Sequence, residues 1–285
     1  MDQFPPALQH GPIEEVFPDV FFVSGAMETV LQDMDWKFSR NMTVVRDGDR
    51  LVIVNSVRLS EEGLAELDRL GRVTDVVRLG SLHGRDDPFY VHRYDAEYWA
   101  LQGMEHETGL PATRSLSTDG ALPISDASLH GRDDPFYVDR YGAEYWALPG
   151  MEHETGLPAT RSLTTDGALP ISDASLFAFD TTQIPEGILR LDRDGGILIA
   201  CDALQNWLAP DEFFSDTSRE LMQQMGFFTP ANLGPVWVQR ASPAGDDFAR
   251  LKTLSFKHAL CGHGEPLQHT AHEDFTATFN RMFGV

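Results

Sequence analysis

Gly195-Gly196-Ile197-Leu198-Ile199-Ala200-Cys201-Asp202-Ala203-Leu204 is an apolar run that leaves a turn over Asp192 to Gly195 and ends on a carboxylate. It reads as a strand from Gly196 to Cys201, with Asp202 just beyond it. Downstream, His258-Ala259-Leu260-Cys261-Gly262-His263-Gly264-Glu265-Pro266 sets His263 between two glycines, which exposes an imidazole on a tight turn. Upstream, Val73 to Leu79 reads as a strand that delivers the chain to Ser81-Leu82-His83-Gly84-Arg85-Asp86-Asp87-Pro88, a loop rich in histidine and aspartate.

The rest of the chain reads as alternating strands and helices. Val16 to Val23 is an apolar strand, and Met42 to Val45 and Leu51 to Val54 form a hairpin around Asp47-Gly48-Asp49. Ser60 caps a helix with Glu61 and Glu62 in its first turn, an apolar stripe of Leu64, Leu67 and Leu70, and a stop at Gly71. Leu176 to Phe179 and Gly187 to Leu191 are two further strands. Sheet, helix and sheet in this order define a mixed α/β domain with packed sheets.

Composition narrows the function classes. With 285 residues, 42% of them hydrophobic, the chain can bury a large core. Its 44 Asp and Glu against 22 Lys and Arg give a formal charge of −22, which repels nucleic-acid phosphates and anionic membranes, so neither is expected as a partner. The N-terminus shows no basic stretch followed by an apolar run, and no window is apolar for the length of a membrane span, so a cytoplasmic location is expected. Cys201 and Cys261 are read as two buried thiols, with a disulfide between them as the alternative.

One segment occurs twice. Ser81 to Ala127 and Ser128 to Ala174 are identical at 43 of 47 positions, differing at His92/Asp139, Asp95/Gly142, Gln102/Pro149 and Ser117/Thr164. Two units so similar are a recent or deliberate tandem duplication rather than a solenoid. Removing one copy leaves 238 residues, a size that suits one domain, so residues 1–285 are read as a single domain with the repeat inside it. Asp87-Pro88 and Asp134-Pro135 look like helix starts, and Ala96 to Leu101 and Ala143 to Leu148 like short strands carrying Tyr98, Trp99, Tyr145 and Trp146. Copy one follows the Val73 strand directly and copy two runs into Leu176. Gly142 and Pro149 are better turn residues than Asp95 and Gln102, so copy two is expected to be the better formed. Near-identity also allows the spare copy to dock on another chain, giving a swapped dimer or another homo-oligomer.

The Gly195 to Leu204 run and the Gly262-His263-Gly264 turn resemble the metallo-β-lactamase superfamily, in which that strand ends on a metal-bridging aspartate and that turn carries a metal-binding histidine. The N-terminal half is similar too, so the resemblance implies a four-layer αβ/βα sandwich, here with a duplicated segment inserted. It also implies metal ligands. Superfamily hydrolases carry His-x-His-x-Asp-His after the strand that ends at Leu79, since paired divalent ions need imidazoles and a carboxylate from one short loop. On that pattern His83 takes the first histidine and Asp87 the aspartate, whereas Arg85 and Pro88 replace the other two histidines, and arginine cannot ligate a cation. A further histidine expected before the Asp202 strand is missing from Thr181 to Gly187. A two-metal centre is therefore not expected, and the chain reads as a motif-degenerate branch.

Three functional readings stand. The first is a single divalent ion, zinc, iron or manganese, held by His83, Asp87, Asp202 and His263, with Asp86 as general base in the hydrolysis of a small-molecule ester, lactone, amide or phosphoester. The second is a non-catalytic binding module without metal, in which Arg85 pairs with Asp87 or Asp202. The third is an assembly module built on the repeat. Asp86 and Asp87 also serve as helix-capping residues in a purely structural account, and His258, His269 and His272 as surface or ligand-orienting histidines. Phe213, Phe214, Phe227 and Phe228 are read as a helix-packing stripe, with a cleft lining as the alternative.

Overall fold

A computed structural model describes residues 4–31, 33–101, 103–116, 146–147, 161–162 and 169–285. The chain divides into two compact units, Met1–Leu116 with Leu169–Val285, and Ser117–Ala168.

In the first unit a seven-stranded sheet runs in chain order: β1 (Glu14–Phe17), β2 (Val20–Leu31), β3 (Met34–Asp47), β4 (Arg50–Val54), β5 (Arg72–Arg78), β6 (Glu97–Leu101) and β7 (Arg114–Leu116). β1 to β4 pair antiparallel and β4 to β7 parallel. Helix α1 (Glu61–Leu70) connects β4 to β5, and α2 (Asp87–Tyr94) connects β5 to β6. Ser60 caps α1 by accepting from the Gly63 N–H at 3.2 Å, as its sequence predicts. The strand predicted over Val16 to Val23 is instead two, because Pro18 and Asp19, the latter at φ 63°, turn the chain between β1 and β2. β2 and β3 then pair from Val20↔Val45 out to Leu31↔Met34, a hairpin much longer than the sequence reading gave.

The second unit is described at β8 (Trp146–Ala147) and β9 (Arg161–Ser162), a parallel pair. Beyond it, in the first unit, β10 (Ala174–Ala178), β11 (Gly187–Leu191), β12 (Ile197–Ile199) and β15 (His258–Leu260) form a second sheet in that order, with β12 and β15 parallel. A small pair, β13 (Leu204–Gln205) and β14 (Asn232–Leu233), and helices α3 (Asp216–Gln224), α4 (Pro235–Ala241), α5 (Gly245–Leu251) and α6 (Ala271–Phe283) complete the unit. Among the described residues no helix is long and apolar enough to cross a membrane.

Strand periodicity builds the layers. Val52 and Val54 point into a core that also holds Ile197, Ile199 and Leu260, so that core lies between the sheets. Their neighbours Leu51 and Ile53 face Leu64, Leu67 and Tyr90 of α1 and α2, while Leu198 and Ala200 face Trp237, Phe248 and Phe275 of α4, α5 and α6. The order is helix, sheet, sheet, helix. Each large aliphatic side chain buried this way contributes roughly 1.5–3 kcal/mol.

The described site loop, α2, β6 and β7 all belong to copy one. The counterpart loop His130 to Pro135, with Gly142 and Pro149, lies outside the described residues, as does most of the strand predicted over Ala143 to Leu148. The end of copy two is described and is tied into the first unit. Asp173 takes two hydrogen bonds from Arg193, at 2.7 and 2.9 Å, and Asp47 takes two from Ser172, at 3.0 and 2.8 Å. Arg193 also donates to the carbonyl of Arg46 at 3.2 Å, so one guanidinium joins the two sheets.

Candidate metal centre

The parallel pairing of β12 with β15 sets Ile199 opposite Leu260. Three residues further along each chain, Asp202 and His263 emerge side by side. His83 arrives on the loop after β5, from the other sheet. The Nε2 atoms of His83 and His263 stand 3.2 Å apart, His263 Nε2 lies 3.2 Å from Asp202 Oδ1, and His83 Nε2 lies 3.5 Å from Asp202 Oδ2. Tetrahedral ligands at zinc, with bonds of about 2.0–2.2 Å, are separated by about 3.3–3.6 Å. The two imidazole nitrogens and the Asp202 carboxylate, which meets His263 through Oδ1 and His83 through Oδ2, therefore converge at about the spacing of ligands around one ion.

Each ligand is aimed by its neighbours. His263 Nδ1 donates to the Ser39 carbonyl at 3.0 Å, which leaves the Nε2 lone pair directed at the cluster. The same serine accepts the Trp207 indole N–H on its hydroxyl at 3.1 Å, and Trp207 packs on the imidazole with ring centroids 4.7 Å apart. Asn41 donates to the Cys261 and Gly264 carbonyls, at 3.0 and 2.6 Å, and so grips the turn on both sides of His263. Gly264, at φ 86°, packs so closely that an added Cβ would fall 2.2 Å from the backbone of Asn206. The His83 loop is held by Arg78, which donates to the Gly80 and Ser81 carbonyls, and by His106, which donates to the Gly84 carbonyl at 2.7 Å.

Burial and charge oppose each other here. Burial pushes Asp202 up, but the two imidazoles that face it, His83 foremost, outweigh burial and hold the carboxyl well below the usual range. Burial pulls His83 down, which favours the neutral imidazole a cation needs. His83 Nδ1 is buried with no hydrogen-bond partner among the described residues.

The structure gathers His83, Asp202 and His263 and places the other two sequence candidates elsewhere. Asp87, expected as a ligand, is fully buried and accepts from the Ser56 hydroxyl at 2.5 Å and the Tyr98 hydroxyl at 2.9 Å, so both its oxygens are used by the scaffold. Asp86, expected as a general base, is buried in an ion pair with Arg40 and accepts the Arg58 backbone N–H at 2.7 Å. It has no open approach to a substrate. It also makes no side-chain capping bond to α2, and Arg85 stands 3.7 Å from Asp86 rather than pairing with Asp87 or Asp202.

Three residues at or beside the cluster escaped the sequence reading. Cys201 belongs with His83 and Asp202 to a group whose ligand atoms lie within 4.8 Å of one another, a set that can hold a metal ion. Its free thiol is pushed well up by burial. Glu186 occupies the stretch where a histidine was sought; it is buried and accepts the Ala203 N–H at 2.8 Å. Burial and the charge of Asp202 push that carboxyl well above its usual range. Arg40 comes from the long β3. The sequence shows only that Cys201 adjoins Asp202; nothing local marks Glu186 or Arg40.

A cavity of about 980 Å³ opens beside the cluster, with His83, Asp202 and His263 in its wall. Met27, Trp36 and Phe38 of the β2–β3 hairpin line one side, and Trp207, Met222 and Phe227 line another. Of the four phenylalanines singled out in the sequence, Phe227 reaches the cavity, while Phe214 and Phe227 pack with Trp207 and Met222 in one cluster.

No protein-family model matches the chain, and no curated protein does. Solved structures match along its length. The chain is similar to a crystal structure of the DIM-1 metallo-β-lactamase exposed to ceftazidime, at 13% identity over 97% of this chain and 98% of that one, with a TM-score of 0.50. It is similar also to a flavo di-iron protein from Thermotoga maritima, at 13% identity and a TM-score of 0.51, over 97% of this chain and 62% of that one. The architecture is the metallo-β-lactamase fold.

Proposed function

We propose that the chain holds one divalent metal ion on His83, Asp202 and His263 and hydrolyses a small-molecule ester, lactone, amide or phosphoester in the adjoining cavity. The observation that carries this reading is the convergence of two imidazole Nε2 atoms, 3.2 Å apart, on the Asp202 carboxylate, with His263 at 3.2 Å from Oδ1 and His83 at 3.5 Å from Oδ2, close to the spacing of ligands around one ion. A second ion does not fit. Arg85 stands where a second histidine would be required, and the buried Arg40–Asp86 pair already sets a guanidinium against the cavity. With two imidazoles, a carboxylate and the Cys201 thiol within reach, the donor set suits zinc.

The ion, when bound, supplies Lewis acidity and an activated water. The chain's own residues do the rest. His263 is locked in orientation through Ser39, Asp202 stays ionised between the imidazoles, and the aromatic walls exclude bulk water from the reacting bond. We further infer that residues 117–163 are surplus to this unit, which is built from copy one up to Leu116 and from copy two from Leu169 onward.

The test is a panel of aryl esters, lactones, aryl amides and phosphoesters assayed with protein stripped by chelator and then resupplied with zinc. Turnover that is lost on stripping, restored by zinc and absent in Asp202→Ala supports hydrolysis. Turnover indifferent to chelator, or retained in that variant, contradicts it.

A further inference from the structure

We propose that the cavity binds a carboxylate ligand with a flat apolar body, the carboxylate held by the arginines of the wall and the body by its aromatic rings. The proposal rests on the hydrolase reading only in making this ligand a substrate; the binding itself is a property of the wall.

The first observation is a local reversal of charge. The chain has twice as many acidic as basic residues, yet the cavity is lined by Arg40, Arg85 and Arg240 against one carboxylate, Asp202. Asp202 is faced by two imidazoles. Arg40 and Arg85 share the single carboxylate of Asp86, and Arg240 meets no carboxylate among the described residues. An excess of cation therefore remains at the wall. The second observation is unmet hydrogen-bonding capacity. Arg40 is only 3% exposed and carries a buried Nε donor with no partner among the described residues. Leaving such groups unmet is costly, so a ligand that supplies acceptors to the guanidiniums is favoured.

Chemistry selects the head group. A guanidinium is a planar fork of donors that matches a carboxylate better than a neutral carbonyl. The wall selects the body, since the aromatic side chains of Trp36, Phe38, Trp207 and Phe227 line a cavity of about 980 Å³. Long-range attraction plays no part, because the net charge of the chain repels anions.

The test titrates 2-naphthoate and its neutral isostere 2-naphthamide into the full-length protein by calorimetry, once after chelator treatment and once with zinc. In the metal-free protein the naphthoate binds about tenfold more tightly than the amide, and Arg85→Met or Arg240→Met narrows that gap. Raising the salt concentration narrows it further. Equal affinities in the metal-free protein overturn the proposal. A preference for naphthoate that emerges only with zinc also overturns it, since the anion then sits on the ion, and this result leaves the metal reading standing. A preference in the metal-free protein that does not bind zinc supports the proposal and removes the metal reading instead.

Discussion

His83 and His263, 180 residues apart in the chain, bring their Nε2 atoms to 3.2 Å of each other at the junction of the two sheets. Without a cation one of these nitrogens must donate to the other. Because His263 already donates through Nδ1 to Ser39, the proton between them belongs to His83, and its own Nδ1 is left unmet. A divalent ion takes the place of that shared proton and is met by both Nε2 lone pairs. Zinc at about a hundred times its dissociation constant is therefore expected to stabilise the fold by ~2.7 kcal/mol, raising the thermal midpoint by roughly 5–10 °C. His83→Ala should abolish the zinc-induced rise, as scanning calorimetry with and without zinc would show.

The buried pair Arg40–Asp86 gives a separate expectation. Asp86→Ala leaves a guanidinium uncompensated in the interior and should destabilise the protein by ~3–5 kcal/mol, whereas Arg40→Met with Asp86→Leu should lose much less. Urea unfolding of the two single variants and the double variant measures the coupling. A double variant whose loss equals the sum of the two single losses would show that the pair is not coupled.

At Gly264 both the positive φ and the nearness of Asn206 forbid a side chain. Gly264→Ala is expected to cost about 1–3 kcal/mol. It should also weaken zinc binding, because the strain falls next to His263. An alanine variant with unchanged zinc affinity would separate the turn from the site.

The α5 residue Asp247 provides a pH test remote from the metal. It accepts from the backbone of Asp180 and Thr181 at 3.0 Å each and from the Thr181 hydroxyl at 2.6 Å, and it pairs with Arg250. Burial raises its pKa, but these bonds outweigh burial and hold it below its usual 3.8. A carboxyl depressed on folding contributes stability above its unfolded pKa and loses it as pH falls through the folded one. The stability gap between wild type and Asp247→Asn should therefore be about 1–2 kcal/mol at neutral pH and shrink below about pH 4. A gap that grows in acid would reverse the assignment.

Deleting residues 117–163 joins Leu116 to Thr164 and leaves 238 residues. Shortening a connection in this way changes loop-closure entropy by only ~2 kcal/mol. The shortened protein should remain folded with the same zinc stoichiometry, by circular dichroism and metal analysis. Loss of the folded state would mean that the second unit supports the first.

The strand before Asp202, the glycine-flanked His263 and the capped helix after Ser60 were legible because each signal lies within one short stretch. The four-layer order was implied by the resemblance that the first two of these stretches carry. What the sequence hid depends on contacts between distant residues. The choice of Ser56 and Tyr98 as partners for Asp87, and of Arg40 for Asp86, rests on side chains brought in from other strands, so two residues of a ligand-like loop turned out to be scaffold. Glu186 was overlooked because the search there was for a histidine. The length of the β2–β3 hairpin was missed because the reading followed the apolar stretches of its inner half and not the alternation of Met34, Trp36 and Phe38 in the outer half of β3.

The most direct test of the account is the metal content of protein purified without chelator or metal-affinity resin, measured by plasma mass spectrometry beside His263→Ala. About one zinc per chain in the wild type, lost in a variant that still folds, is the expected result. Two metal ions per chain, or none in a folded wild-type protein supplied with zinc, would contradict a single-ion site on His83, Asp202 and His263.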